Sequence, residues 1–508
     1  MSSSKNISKS SSKANSKEAL QFYKQVFILS IPIALQSLIT IGVNMLDTMM
    51  VGQLGDNALS ATSLANSFIS VFQILCMGLG MGASVLVSRY RGMKNAAKTE
   101  NESEEASRAL RQTVCLMLRL NIALATLFAI ATLVMPGVIM RSYTEDMDIV
   151  NLGIRYFEYS IVTYFFVGLS LVVTIVLRSV GQVFYPLFVS IGAFFVNLSM
   201  NYILIFGKFG APKMGVAGAA LGTLIARIFE FTFIVGYLMI FDKRIGFRPR
   251  HLLMKTKSLL REYIRVSIPV LISDGILAVG TNSVAMVIGH LGGTFVAANA
   301  ITSVTQQLST VVITGVSQAG AIVTGITLGE GDKDKTMRQG YMFFRLGLIL
   351  GLISALFIFI FSDLIISFYG EASAETLTTA KQLMNAICLI IVFQGTNSIM
   401  TKGVLRGGGD TTMLMLTDNI FLWVLAIPLG IIAGFYLKLP AFWIYICLKS
   451  DQIVKTVWAF LRLRSRKWIK KISTGNKSGD RTDDKIKENQ EKNLEDKKIE
   501  NNKIKAVG

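Results

Sequence analysis

Charge is what this sequence has least of. Of 508 residues only 16% are Asp, Glu, Lys or Arg, against roughly 25% in soluble globular proteins. A soluble enzyme of this length is excluded, and the 52% hydrophobic content excludes an intrinsically disordered chain. There are two histidines, His251 and His290, both in or beside loops, and neither an H-E-x-x-H nor a G-x-S-x-G pattern occurs. The absence of a G-x-x-x-x-G-K-[ST] phosphate loop means the chain does not itself use ATP. Its four cysteines, Cys76, Cys115, Cys388 and Cys447, lie in or beside apolar segments with no C-x-x-C spacing and no metal pattern. They read as small packing residues. Gly78-Leu79-Gly80-Met81-Gly82 sits in an apolar run with no strand before it, so it serves close helix packing rather than a nucleotide. No filter-like polar loop suggests a channel. No cleavable signal is expected, because the first apolar stretch follows a long Ser/Lys segment and has no small-residue cleavage site after it.

What is present is hydrocarbon-length helix. Mean hydropathy is +0.53, and a helix needs about 20 apolar residues to cross the bilayer core. That rule predicts about twelve spans, near 26–51, 60–88, 112–136, 155–177, 184–206 and 216–241, then 266–290, 300–328, 341–362, 380–400, 413–435 and 440–461. The fold class is therefore an all-α integral membrane protein. Net charge is +19, and much of it lies at the two ends. The basic excess suits a membrane-lipid surface, and no nucleic-acid partner is expected. Basic loops follow spans two (Arg89, Arg91, Lys94), four (Arg178), six (Lys243, Arg244, Arg248, Arg250), eight and ten (Lys402, Arg406), while the intervening loops are short or acidic. By the positive-inside rule both termini are cytoplasmic in a cell membrane. The expected organisation is a disordered basic N-terminus over 1–24, an N-lobe over 25–241, a basic linker over 242–265, a C-lobe over 266–461 and a Lys-rich tail over 462–508.

The chain is also a duplication. Ser30-Ile31-Pro32 aligns with Ser267-Ile268-Pro269, Gly52-Gln53-Leu54-Gly55 with Gly289-His290-Leu291-Gly292, Gly78 with Gly315, and Gly92 with Gly329. The offset is constant, 289 − 52 = 237. Six spans separate the copies, so they enter from the same side and are parallel repeats about an axis along the membrane normal, an arrangement used by secondary transporters. Two pseudo-symmetric six-helix lobes facing each other across a V-shaped central cavity follow.

Three stretches carry a family resemblance. Asn44-Met45-Leu46-Asp47-Thr48-Met49-Met50-Val51-Gly52-Gln53-Leu54-Gly55 resembles the opening signature of the MATE family, the multidrug and toxic compound extrusion transporters. So do Asn201–Gly210 with the following Gly215-Val216-Ala217-Gly218-Ala219-Ala220, and Leu405-Arg406-Gly407-Gly408-Gly409-Asp410-Thr411. The resemblance covers about Val26 to Leu461. It implies two lobes that alternate between outward- and inward-facing states, exchanging inward Na⁺ or H⁺ for an outward-moving small organic compound, often cationic or amphipathic. No cofactor beyond the coupling ion is implied, no enzymatic activity is expected, and nothing suggests more than a monomer.

A charge in a span costs at least about 2.5–3.5 kcal/mol, so each one invites a functional reading. Asp47 leads. It is one turn from Asn44 and matches the family's cation-coupling aspartate, so it is the candidate ligand for Na⁺ or H⁺. Asn197 and Asn201 share a face at i, i+4 and offer amide oxygens to the same cation or hold the Asp47 carboxylate in place. Some family members carry a second aspartate where Asn201 stands, so a two-carboxylate proton site is not available in that lobe. Arg227 and Glu230, i, i+3 on span six, either pair or line a pocket. The second half offers Asp274 with Asn282, and Asp418 with Asn419, as candidates for contact with a cationic substrate or for structural roles. Span ten, with Gln394 and Asn397, lacks the carboxylate found in one branch of the family. Pro32 and Pro269 each remove a helical hydrogen bond and are candidate hinges. Two rivals remain: a flippase for lipid-linked sugars, which would favour basic residues in the cavity and extra spans, and a non-transporting scaffold working through its tail.

Overall fold

A computed structural model describes residues 2–367 and 373–470. Helices fill it in the order α1 (Ser2–Gly52), α2 (Asp56–Ala96), α3 (Glu100–Val134), α4 (Pro136–Arg141), α5 (Met147–Ser160), α6 (Thr163–Ser179), α7 (Phe184–Phe206) and α8 (Val216–Gly236). The second half follows with α9 (Lys257–His290), α10 (Gly293–Gly329), α11 (Lys333–Ser367), α12 (Ala374–Ser398), α13 (Thr411–Ile420), α14 (Ile427–Ile431), α15 (Ala441–Leu448) and α16 (Ser450–Arg464). Wide π-turns continue α8, α12, α13 and α14 over Tyr237–Phe241, Ile399–Leu405, Phe421–Ala426 and Ile432–Tyr436.

Local sequence explains the punctuation. Thr99 caps α3 in a capping box: its hydroxyl accepts from the Glu102 N–H at 3.3 Å and the Glu102 carboxylate accepts from the Thr99 N–H at 3.4 Å. Asp146 caps α5 through the Asp148 and Ile149 amides. Gly207 ends α7 at φ 66, a left-handed conformation that favours glycine. In the linker, the Arg248 N–H donates to His251 Nδ1 at 2.9 Å. Partial burial, with Arg111, Arg250 and Arg248 nearby, holds the His251 pKa below its ordinary value and keeps that nitrogen an acceptor.

Among the described residues ten helices are long and apolar enough to cross a bilayer, and one bent pair makes an eleventh. Four expectations change. Span four, expected as one helix over 155–177, is instead α5 and α6 meeting at 60°. The junction is Ile161-Val162-Thr163, all β-branched, and the Ser160 hydroxyl bonds back to the Tyr156 carbonyl at 2.9 Å. Span twelve, expected over 440–461, breaks after Leu448, where Lys449-Ser450-Asp451 brings charge and hydroxyl into an apolar run. At the other end of the chain, residues 2–24 are not without structure. They extend α1, and Phe22 is buried against Phe343 with ring centroids 4.9 Å apart. The C-lobe helix α9 likewise starts at Lys257, inside the expected linker. The tail beyond 470 lies outside the described residues.

The duplication organises the lobes, α1–α8 and α9–α16, into a V. They meet at the end that carries both termini, and the contacts come in repeat-related pairs. Gly78 and Gly82 of α2 lie against Leu271 and Ser267 of α9; a Cβ on Gly78 would sit 2.9 Å from the Leu271 Cα. The equivalent Gly315 of α10 lies against Ser30 and Ala34 of α1, within 2.5 Å of the Ser30 carbonyl oxygen for an added Cβ. Gly92 and Gly329, equivalent by 329 − 92 = 237, touch each other, as do Ser88 and Gly325, equivalent by 325 − 88 = 237. Residues that contact their own repeat equivalents lie on the pseudo-two-fold axis, as in an isologous interface. Away from this seam the lobes part, leaving Met45 and Met49 of α1 and Met286 of α9 exposed.

Candidate functional site

The N-lobe site is assembled by α1, α7 and α8. The Asn201 Nδ2 donates to Asp47 Oδ1 at 2.6 Å and to Asn197 Oδ1 at 3.4 Å. Asn197 and Asn201 are buried, and Asp47 is half-buried. The other oxygen of that amide, Asn201 Oδ1, is buried with no hydrogen-bond partner. It lies against Gly222 of α8, where a Cβ would collide with it. Gly218, one turn earlier, lies 2.6 Å from the Leu204 carbonyl oxygen measured from an added Cβ. The small-residue run after Gly215 thus lets α8 close on α7 and bring the amide to the carboxylate. Asn44 is not part of the group: it is exposed, and only its backbone carbonyl is used, accepting from the Thr48 hydroxyl at 2.8 Å.

Beside this triad is a cavity of about 230 Å³ enclosed by α1, α2, α6, α7 and α8, with Asn197, Gln36, Arg178, Arg227 and Glu230 in its wall. Arg227 and Glu230 do pair, at 2.6 Å, and both also line the cavity. Arg227 stands close enough to Asp47 to act on it electrostatically. Arg178, read from the sequence as a loop charge, is a structural centre. Its Nε donates to Gln36 Oε1 at 2.9 Å, and its Nη1 crosses to the other lobe to donate to Gln318 Oε1 at 2.7 Å.

In the C-lobe the two candidate carboxylates already have cationic partners. Asp274 accepts from Arg406 at 3.0 and 3.4 Å, and Arg406 is buried. Asp418 lies 3.5 Å from Lys455, which is also 3.0 Å from Asp451, and all three are buried. Gln452 donates to Asp451 at 2.7 Å and accepts from Asn397 at 2.9 Å. Asn419 turns to its own helix, donating to the Met415 carbonyl at 2.6 Å, and Asn282 is exposed away from these pairs. Lys455 and Asp451 escaped the sequence reading. The rule applied to Asp47, that a charge within a span is informative, would have found both in 440–461, at the i, i+4 spacing of an ion pair. Removing one member of a buried ionic group leaves an uncompensated charge and costs about 3–5 kcal/mol. Lys455→Met is therefore expected to lower the yield and melting temperature of the purified protein sharply, and adding Asp418→Asn to recover part of the loss, by fluorescence-detected thermal unfolding in detergent.

Among the described residues no group of three or more His, Cys, Asp or Glu could hold a metal. The oxygen set of Asp47, Asn197 and Asn201 is instead of the hard, single-carboxylate kind that suits an alkali cation or a proton.

A family model described as MatE matches residues 32–203 and 269–432. A probable multidrug resistance protein NorM of Thermotoga maritima is 26% identical over 465 residues, covering 89% of this chain and 95% of its own. An uncharacterized transporter, YisQ, of Bacillus subtilis is 24% identical over 450 residues, covering 88% and 95%. Among solved structures, the outward-facing conformation of a multidrug resistance MATE family transporter of the MOP superfamily superposes with a TM-score of 0.77 at 20% identity, covering 87% of this chain and 96% of that one. The two matched segments of the family model fall one in each lobe and include Asp47, Asn197 and Asn201.

Proposed function

The chain belongs to the MatE family of multi-pass membrane transporters, and from that premise we propose that it is a cation-coupled antiporter that exports small organic compounds, cationic or amphipathic, by alternating access. The observation that carries this reading is the partnerless acceptor Asn201 Oδ1 beside the Asp47 carboxylate. A buried acceptor left unpaired costs about 1–3 kcal/mol, and Na⁺ in that position, or a proton on Asp47, offsets it. The coupling ion binds there in the N-lobe; the organic substrate binds in the cleft between the lobes. With both termini in the cytoplasm of a monomer in the cell membrane, the seam closes the cytoplasmic side and the cleft faces out. Ion and substrate then bias opposite states of one lobe equilibrium, so each displaces the other. One charge moving inward at about 100 mV supplies about 2.3 kcal/mol.

The test is efflux of ethidium from efflux-deficient bacterial cells expressing the full chain, with Na⁺ and external pH varied independently. Ethidium retention falls on expression, and collapsing either the Na⁺ or the proton gradient restores it. Efflux indifferent to both gradients overturns coupling; no efflux of ethidium or any other organic cation overturns the cargo class.

A further inference from the structure

We propose that the N-lobe holds a binding site for the phosphate headgroup of an anionic phospholipid, at the end where the termini lie. It is formed by Arg91 and Lys94 of α2, Arg111 of α3, and Arg244 and Arg248 of the linker that follows α8. This goes beyond the transport reading and does not depend on it.

Basic residues at this end are expected from charge bias alone, and many of them are plain surface charges: Lys243, Arg250, Lys255, Lys257 and Arg261 are exposed. The five residues of the site are half-buried instead. They also crowd one another. Arg91 lies within electrostatic reach of Arg244, and Lys94 within reach of Arg91 and Arg111. Arg111 and Arg248 both act on His251. Among the described residues none of the five belongs to an ion pair. One acid faces them, the fully buried Asp242, which acts on Arg91 and Lys94. Its Oδ1 has no hydrogen-bond partner, but those two cations already supply its counter-charge, and one acid against five bases leaves 5 − 1 = +4. Glu102 and Glu105 of α3 line a different cleft, with Met93 and Gly329. On the Arg111 guanidinium the unused group is a donor: its Nε is buried without a hydrogen-bond partner. Crowded cations with spare N–H groups are stabilised by a phosphate, which accepts from several of them at once.

The linker is built to present this cluster. Asp242 Oδ2 accepts from the Ile245 and Gly246 N–H groups at 2.8 and 3.4 Å, closing a turn in which Gly246 takes φ 67. That turn carries Arg244, whose Nη1 donates to the Val180 carbonyl, just past the end of α6, at 2.9 Å. Arg248 Nη1 is shared among the Met239, Asp242 and Phe247 carbonyls at 3.2, 3.3 and 3.1 Å. Apolar side chains stand at the rim: Ile240 and Phe241, which lead into Asp242, and Leu253, two residues after His251, are exposed. Basic recesses between membrane-spanning helices are where anionic headgroups lodge. The apolar rim favours a lipid over a soluble phosphate compound, because only the lipid brings acyl chains to cover it.

The test uses the full chain in dodecyl maltoside with fluorescent cardiolipin as probe. Competitors are unlabelled cardiolipin, phosphatidylcholine and inorganic phosphate. The probe binds saturably, and only unlabelled cardiolipin displaces it. Lys94→Gln and Arg111→Gln each weaken binding by about fivefold or more, and Lys94→Arg retains it. Lys94 lies near the end of α2, so its variants keep the test valid if Arg111→Gln fails to fold. The exposed pair Lys243→Gln with Lys257→Gln removes two charges and changes affinity by less than about twofold, since exposed charges are screened. Equal weakening by that pair reduces the cluster to surface charge and overturns the site. Absence of saturable binding or unchanged affinity in Lys94→Gln does the same, and displacement by inorganic phosphate overturns a lipid as the ligand.

Discussion

Asp47→Asn is expected to cut gradient-driven ethidium efflux by at least about tenfold while leaving folding and membrane abundance unchanged. The two halves of that expectation come from different atoms. The substituted amide keeps an oxygen where Asp47 Oδ1 accepts from Asn201 at 2.6 Å, so the link between α1 and α7 survives. What disappears is the negative charge. Without it the unpaired Asn201 Oδ1 is the only unused acceptor at the site, and a Na⁺ loses its one formal counter-charge or a proton its carrier. A loss of only 1.4 kcal/mol in ion binding is already tenfold. Gly222→Ala should give the milder form of the same defect, since its Cβ runs into Asn201 Oδ1 and turns the amide away without touching any charge. Wild-type efflux by Asp47→Asn at matched expression would remove the carboxylate from the mechanism.

Gly329→Val should abolish transport by a different route. The new Cβ meets the backbone carbonyl of Arg89 and lies 2.9 Å from the Gly92 Cα, and neither backbone atom is able to rotate aside. The lobes have to part where they now meet, which destabilises the closed seam and, in the cycle proposed above, holds the protein in the opposite state. Gly289→Val, where an added Cβ has nothing within 4 Å, is the matched control and should transport normally. The shift is read by labelling Ser88→Cys with an impermeant maleimide, after Cys76, Cys115, Cys388 and Cys447 have been replaced. Ser88 is fully buried at the seam, so it should be protected in the parent and become reactive with Gly329→Val. Protection in both would mean that the seam does not open.

The duplication was the most informative thing in the sequence. Its offset of 237 residues gives the two lobes, and two of its aligned glycine pairs, Gly78 with Gly315 and Gly92 with Gly329, turn out to lie on the contact surface between them. Asp47, Asn197 and Asn201 were legible because polar groups in hydrocarbon-length runs stand out. Partnership was not. Asp274 and Arg406 are 132 residues apart in the chain, and no helical spacing connects residues on different helices. Asn44 shows the limit of spacing itself: at three residues from Asp47 it is on an adjacent line of α1, yet that line faces out of the group. Arg178 and Arg406 looked like loop charges because they sit at span ends, and only packing reveals that both turn inward. The break between α15 and α16 was hidden by the surrounding aromatics and aliphatics, which kept the window apolar despite Lys449 and Asp451.

The last described residues turn back onto the protein. Trp468 is fully buried, donating to the Leu463 carbonyl at 3.2 Å, and the Lys470 N–H donates to the Gly408 carbonyl at 3.0 Å. Arg89, from the opposite lobe, donates to the backbone carbonyls of Lys470 and, at 3.3 Å, Gly408. The root of the C-terminal extension is therefore clasped by both halves of the machine at the line along which they separate. In the cycle proposed above each opening has to break the Arg89 clasp and each closing remake it, so Lys470 is tugged once per turnover. A fluorophore on Lys470 would act as a stroke counter, and a ligand that grips this residue would be holding the handle of the gate.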